Sequence, residues 1–426
     1  MTLVHVVNAR LIDPAQGIDA LTGVWIRDGI VAAIGSTPEG VDVDAADFSV
    51  IDARGYAMLP GISDLCVSAQ DGRWTGGVAA ERAALAGGVT RLVITGVTSS
   101  PEVSAANTIS DTDTDTTAFQ SPDVRYVLAW PHKPLIGAMP AHASRVAGLG
   151  FGLSCLRDTA ALHGALQFAA DHDLTAWLTP TDALLEAGGV MAQGAYSLRL
   201  GLPGVARDTQ TAALRAIFEL MRQTGARVHI AALATREAVD AVREAKAQGL
   251  RVSCDVNVHH LHLSDVDIGF FDTRYRFDPP LYGLADRDAL SAGVSDGTID
   301  AIVSGHTSIE PSDKARFFEH AMSGAPALGL LLSLVLAWAT RERVPVLQAL
   351  ALLTTGPERI LNGPRPPVGL SVGRPADFSF VDLDAWWQAR DMPELIHPEL
   401  SPFAQTFLVG SVKATYIQGR RQWHAP

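Results

Sequence analysis

Among the side chains of the kinds that hold zinc, five are candidates for one site: the thiols of Cys66 and Cys155 and the imidazoles of His229, His260 and His306. A cysteine of the set could instead act as a nucleophile, provided a base stood beside it. His259, His260 and His262 also crowd together and have the look of a metal cluster. Each feature has a plainer account. No histidine lies close to Cys66 along the chain, and a free cysteine packs well as a small buried apolar residue. The same holds for Cys155. A lone histidine such as His306 is ordinarily hydrogen-bonded within a core. Cys254 brings the cysteines to three, an odd number at wide spacing. That pattern is neither a disulfide framework nor a Cys-x-x-Cys site, and it suits a reducing cytoplasm.

The elements that must position these groups alternate. Cys66 falls in the run at 59–69, which starts at a Pro60-Gly61 break and reads as a short buried strand. Alternate strand residues point to one side, so Cys66 and Ser68 face the same way. Further on, residues 213–223 are apolar at Leu214, Ile217, Phe218 and Met221, a helical period, and Gly225 follows as a stop. Residues 228–233 read as a buried strand. Thr235 is placed to cap a helix that buries Val239, Val242 and Ala245, and residues 250–256 form the next strand. This is a β-α-β unit, so the strands are expected to be parallel. Similar alternation over 88–308 favours a (β/α)8 barrel of the TIM type over an open sheet, although periodicity alone does not separate the two. Both ends of the chain are β-rich instead, with Asp28-Gly29 a good hairpin turn. They suggest a small composite β-sandwich domain built from both termini. The expected division is 1–55 and 365–426 for that domain and 56–364 for the barrel.

Composition excludes several classes. The 426 residues are 47% hydrophobic and carry a net charge of -13, with no Lys/Arg cluster, which argues against nucleic acid or an anionic membrane as partner. The N-terminus lacks a basic region followed by an apolar core, so no signal peptide is expected. The longest apolar run, 326–339, falls short of the ~20 residues that span a bilayer and reads as a buried helix. The insert at 104–121, with its Asp/Thr repeat, reads as a solvated loop; it lacks the glycine and distal glutamate of an EF-hand calcium loop.

Several segments together resemble the dihydroorotases, within the cyclic amidohydrolase superfamily. They are Gly188-Gly189-Val190-Met191, Leu200-Gly201-Leu202-Pro203-Gly204, Val228-His229-Ile230, Val258-His259-His260-Leu261, Phe277-Asp278-Pro279-Pro280, Asp296-Gly297-Thr298-Ile299-Asp300 and Gly373-Arg374-Pro375-Ala376-Asp377. Each is weak alone; their joint order is strong. The resemblance implies two bridged metal ions, a metal-bound hydroxide and an Asp that moves the proton to the leaving nitrogen. It also shows where that machinery would lie. The paired metal histidines of the first barrel strand fall on Cys66 and Ser68, and the carboxylate-binding arginine falls on Gln70. The substrate asparagine falls near Thr98. The turn that supplies a carboxylate ligand falls near Ser154-Cys155-Leu156-Arg157, where Arg157 would repel a cation. Two further histidines fall on Thr179 and Ala232, with His229 at an offset that aims it to the other side of its strand. The asparagine before the Pro-Pro pair is Asp278. The catalytic Asp falls on Gly305 and a substrate histidine on Ile309.

Every change replaces a ligand, acid or anion clamp with a group that cannot do its work. Metal affinity needs several donors at one point, so the expectation is a chain with no catalytic residues, no metal and no cofactor. Asp64 is expected to have a structural hydrogen-bonding role, and Trp177 and Leu178 to fill the emptied barrel mouth. The sequence resembles the non-catalytic dihydroorotase-like chains. That resemblance implies a cytoplasmic homodimer within a larger complex with the aspartate transcarbamoylase catalytic chain. The alternative is an active cyclic amidohydrolase with an atypical or single-metal zinc site drawn from Cys66, Cys155, His229, His260 and His306.

Overall fold

The computed structural model describes residues 2–38, 48–68, 77–97, 121–129, 146–151, 158–363, 365–395 and 397–425. The expected loop at 104–121 lies outside them except for Ser121, as do Gln70, Thr98, Cys155 and Arg157.

The β-α-β unit forms as its residues dictate. Helix Thr209–Thr224 buries Leu214, Ile217, Phe218 and Met221 and ends at Gly225, whose φ of 66° only glycine adopts freely. Strand Arg227–Ile230 follows. The Thr235 hydroxyl accepts from the Ala238 amide at 3.3 Å and caps helix Arg236–Ala247. Strand Val252–Asn257 then lies parallel to Arg227–Ile230.

Repeated along the chain, such pairing closes a barrel. Strands Ile62–Ser68, Val89–Val97, Asp123–Ala129, Val146–Phe151, Thr175–Leu178, Arg227–Ile230, Val252–Asn257 and Ala301–Val303 pair in sequence order, all parallel. The last stretch resumes as His306–Thr307, which pairs with Val67 and Ser68 of the first strand. One strand, interrupted at Ser304 and Gly305, thus joins both ends of the sheet. Parallel strands buried on both faces need helices outside; these pack against Ile62, Leu92, Ile94, Ala176, Leu178, Val228, Ile230, Cys254 and Val256 in the main core.

Both chain ends build a second sheet. Its order is Arg420–His424, Phe407–Ile417, Phe378–Gln388, Ala57–Pro60, Leu3–Asp13, Ile18–Arg27 and Ile30–Ile34, with Ser49–Asp52 also on Leu3–Asp13. Asp28 and Gly29 turn the hairpin with φ of 50° and 82°, as a two-residue hairpin turn requires. The sheet doubles back on itself: Val31 N donates to Arg374 O and Ala376 N to Gly29 O, both at 2.9 Å. Val6, Leu11, Met58, Phe378, Phe380 and Tyr416 fill the space enclosed. The apolar run at 326–339 becomes helix Leu331–Glu342 with a 3-10 lead-in, and Ser333 Oγ donates to Gly410 O at 2.5 Å, fastening this sheet to the barrel helices. Among the described residues no helix is long and apolar enough to cross a membrane.

Candidate functional site

Inside the barrel an apolar layer adjoins a polar one. Leu65, Val93, Val127, Ala147, Trp177, Ala301 and Val303 form one cluster with Ile360 of helix Thr355–Asn362. Side chains from strands that are not neighbours touch only across the interior of a closed barrel, so this layer is its filling. Trp177 therefore packs within the barrel rather than over its mouth, and Leu178 faces the helices. Strand alternation requires that split.

The polar layer begins where the Trp177 ring meets His229, with centroids 4.3 Å apart. His229 is fully buried and both its nitrogens are engaged: Nε2 with Asp255 Oδ2 at 2.9 Å and Nδ1 with Ser253 Oγ at 3.0 Å. The other oxygen of Asp255 accepts from the Ala232 amide at 2.7 Å. The strand ends at Ile230 and Ala232 has a φ of 56°, so strand alternation does not extend to Ala232. His229 and the Ala232 amide converge on one carboxylate instead of diverging.

Asp64 is the second buried carboxyl. Its Oδ1 accepts from Ser304 N at 3.0 Å and Cys66 N at 3.3 Å, the hydrogen-bonding role anticipated for it. Burial pushes its pKa up to about 6, against the bonds from Ser304 and Cys66. Burial, then the charges of Asp255 and Asp64, push the Cys66 thiol up as well. Cys66 is held as a thiol at neutral pH and so is not a ready nucleophile.

The other histidines do not gather around this layer. His260 Nε2 donates to the Pro279 and Pro280 carbonyls at 3.1 and 3.2 Å. His262 Nε2 donates to Leu334 O at 2.9 Å. His306 Nδ1 accepts from Ala327 N at 3.2 Å. His259 stacks on Phe403 and meets the tilted ring of Phe277. Burial lowers the pKa of His260, His262 and His306 to about 4, so these rings are neutral and serve the backbone.

The paired metals implied by the resemblance do not fit these side chains. At the ligand positions stand Cys66 as a thiol, Ser68, a half-buried Thr179 and Ala232, and Ile309 is buried. Among the described residues no three His, Cys, Asp or Glu side chains converge to hold a metal ion. The position of the catalytic Asp is also built over. Gly305 has a φ of 59°, and a Cβ there would lie 2.8 Å from Asn257 Cγ. Asp278 puts a carboxyl where the resemblance places an asparagine, and it sits beside Glu186, whose pKa burial and then that neighbour raise to about 7.

Replacing Gly305 by Asp is therefore expected to cost roughly 1–3 kcal/mol of stability from overpacking and left-handed backbone. Asn257→Ala should recover the overpacking share of that loss in the double variant but not the backbone share, as thermal unfolding would register. A neutral effect of G305D alone would contradict the crowding.

Sequence reasoning passed over Asp255, Asn257 and Ser304. The signal was there: Ser253, Asp255 and Asn257 are polar at alternate positions of a strand that otherwise reads as buried throughout. A period of two in polarity marks a polar inner face.

No family model matches the chain. It is 32% identical over 431 residues to a dihydroorotase-like protein of Pseudomonas putida, covering 98% of each. It is 30% identical over 427 residues to a dihydroorotase of Syntrophotalea carbinolica, covering 97% of each. Among solved structures it is similar to the dihydropyrimidinase of Brevibacillus agri NCHU1002, with a TM-score of 0.79 and 18% identity over 100% of this chain and 96% of that one. It is similar also to a D-hydantoinase, with a TM-score of 0.80 and 16% identity over the same shares. At such identities the structures speak to fold.

Proposed function

The chain belongs to the dihydroorotase family of cyclic amidohydrolases, and from that premise we propose that it is a non-catalytic member serving in the cytoplasm as a structural subunit for aspartate transcarbamoylase. In this reading it is a homodimer within a larger complex with the transferase catalytic chain. The observation that carries the loss of catalysis is the Asn257 side chain, which occupies the space an Asp at position 305 would need. A drifted site would leave a gap at such a position. This one is closed; nearby, His229 and the Ala232 amide are bonded to Asp255, and the Ser304 and Cys66 amides to Asp64. A barrel retained under those conditions has its surface left to offer. The relatives named dihydroorotase-like protein in two Pseudomonas species are in keeping with this reading.

Three measurements on the purified chain test it. Dihydroorotate should not be hydrolysed above the uncatalysed rate, and metal analysis should find zinc well below one equivalent. Mixed with the transferase of its own host, the chain should elute with it as one larger species on size exclusion. Stoichiometric zinc removed together with hydrolytic activity would establish the active alternative. Separate elution, with transferase activity unchanged by the chain, would remove the structural role.

A further inference from the structure

A cleft lies at the other end of the barrel. It has a volume of about 560 Å³. Its walls are the starts of strands Arg227–Ile230 and Val252–Asn257, the approach to Ala301–Val303, and the helices Val346–Ala351 and Thr355–Asn362. Leu250, Val252, Ile299, Leu352 and Ile360 make its lining mostly hydrocarbon. Three guanidinium groups border it: Arg227, Arg251 and Arg359.

The charges at this cleft do not cancel. Asp173 pairs with Arg227 at 3.1 Å, and the same guanidinium donates to Thr175 Oγ1 and Asp173 O. Asp300 is taken by Lys246 at 2.7 Å and by the Cys254 amide. Arg251 donates to the Gly225 carbonyl, a neutral acceptor. Among the described residues no carboxylate pairs with Arg251 or Arg359. Two cations without counter-charge thus stand over an apolar hollow, in a chain whose net charge is -13. Neither is needed to neutralise a neighbouring carboxylate: Arg251 has its bond to a helix-end carbonyl, and Arg359 has no bond among the described residues.

We propose that this cleft binds a small organic anion, one apolar body with a single carboxylate or comparable head group. The volume is in the range of small-molecule sites, which are apolar with a few convergent polar groups. Guanidinium forks match the planar carboxylate, and the hydrocarbon floor accepts the body. A compact inorganic anion would leave that floor wet. A long polyanion would meet only two unmatched cations. The site stands at the opposite end of the barrel from the His229–Asp255 layer, and it holds whether or not the chain catalyses anything.

Benzoate, benzamide and inorganic phosphate separate the contributions, read by calorimetry on the full chain. Benzoate should bind saturably at one equivalent in the millimolar range or tighter, with benzamide and phosphate weaker by at least about tenfold. R251Q and R359Q should each weaken benzoate several-fold. The melting temperature of R359Q without ligand should be unchanged, because Arg359 makes no bond among the described residues, whereas R251Q gives up its bond to the Gly225 carbonyl and should melt slightly lower. Hydrogen exchange should show benzoate protecting residues 250–253 and 355–363. Failure of benzoate to saturate, equal affinity for benzamide, or binding indifferent to both arginine variants would each overturn the proposal.

Discussion

Substitution of Asp255 by Ala is expected to lower the unfolding free energy by roughly 3–5 kcal/mol, the cost of breaking a buried polar pair from one side. The carboxylate is fully buried and holds two elements at once, the His229 ring and the Ala232 amide. Its removal leaves an imidazole N–H and a backbone N–H buried without acceptors, each at about 1–3 kcal/mol. Ala232 stands at a φ of 56°, a region alanine avoids, and the bond from its amide is what keeps it there. Asp255→Asn should be far milder, about 1 kcal/mol. The amide oxygen can accept from Ala232, and the imidazole can change tautomer to accept from the new amide while donating to Ser253 Oγ. Urea unfolding of both variants measures the difference. Equal losses for the Ala and Asn variants would mean that charge, not hydrogen bonding, is what the site requires.

That network also marks how far the sequence could be read. Strand and helix positions around Gly225, Thr235 and Asp28-Gly29 were legible because local chemistry sets them: a left-handed cap, a hydroxyl on an amide, a hairpin turn. The emptied ligand positions were legible as residue types. What filled the space was not. Asn257 meets Gly305 across 48 residues of chain, and Asp64 meets Ser304 across 240. Such contacts exist only once the barrel has closed, so no local pattern contains them. The offset of His229 misled for a related reason. Alternation applies only while the strand lasts, and nothing in Val228-His229-Ile230-Ala231-Ala232 announces that it stops at Ile230. The sheet joining Ala57–Pro60 to Phe378–Gln388 was recognisable from β-rich ends, but its strand order was not.

Acid should destabilise the fold well before ordinary carboxylates titrate, chiefly between pH 6.5 and 4. His260, His262 and His306 have pKa values lowered by burial to about 4 from an ordinary 6.5. In that window the unfolded chain binds protons that the folded chain refuses, so stability falls as pH falls. Each shift is worth roughly 3 kcal/mol, and together they are on the order of 10 kcal/mol by pH 4. Two groups oppose this. Asp64, raised to about 6, is strained while ionised and is relieved on protonation by about 3 kcal/mol. Glu186, raised to about 7, acts in the same sense but is half-exposed, so its share is discounted to roughly 1 kcal/mol. The histidines outweigh the carboxyls, and the net loss of roughly 6 kcal/mol is more than half the stability of a typical domain. The urea midpoint should therefore hold from pH 8 to about 6.5 and then drop steeply. His262→Gln keeps a donor for Leu334 O and removes one titrating ring, so it should flatten the net slope by about half. A midpoint constant down to pH 4.5 would mean these rings are not held neutral, and the burial argument for His260, His262 and His306 would fall with it.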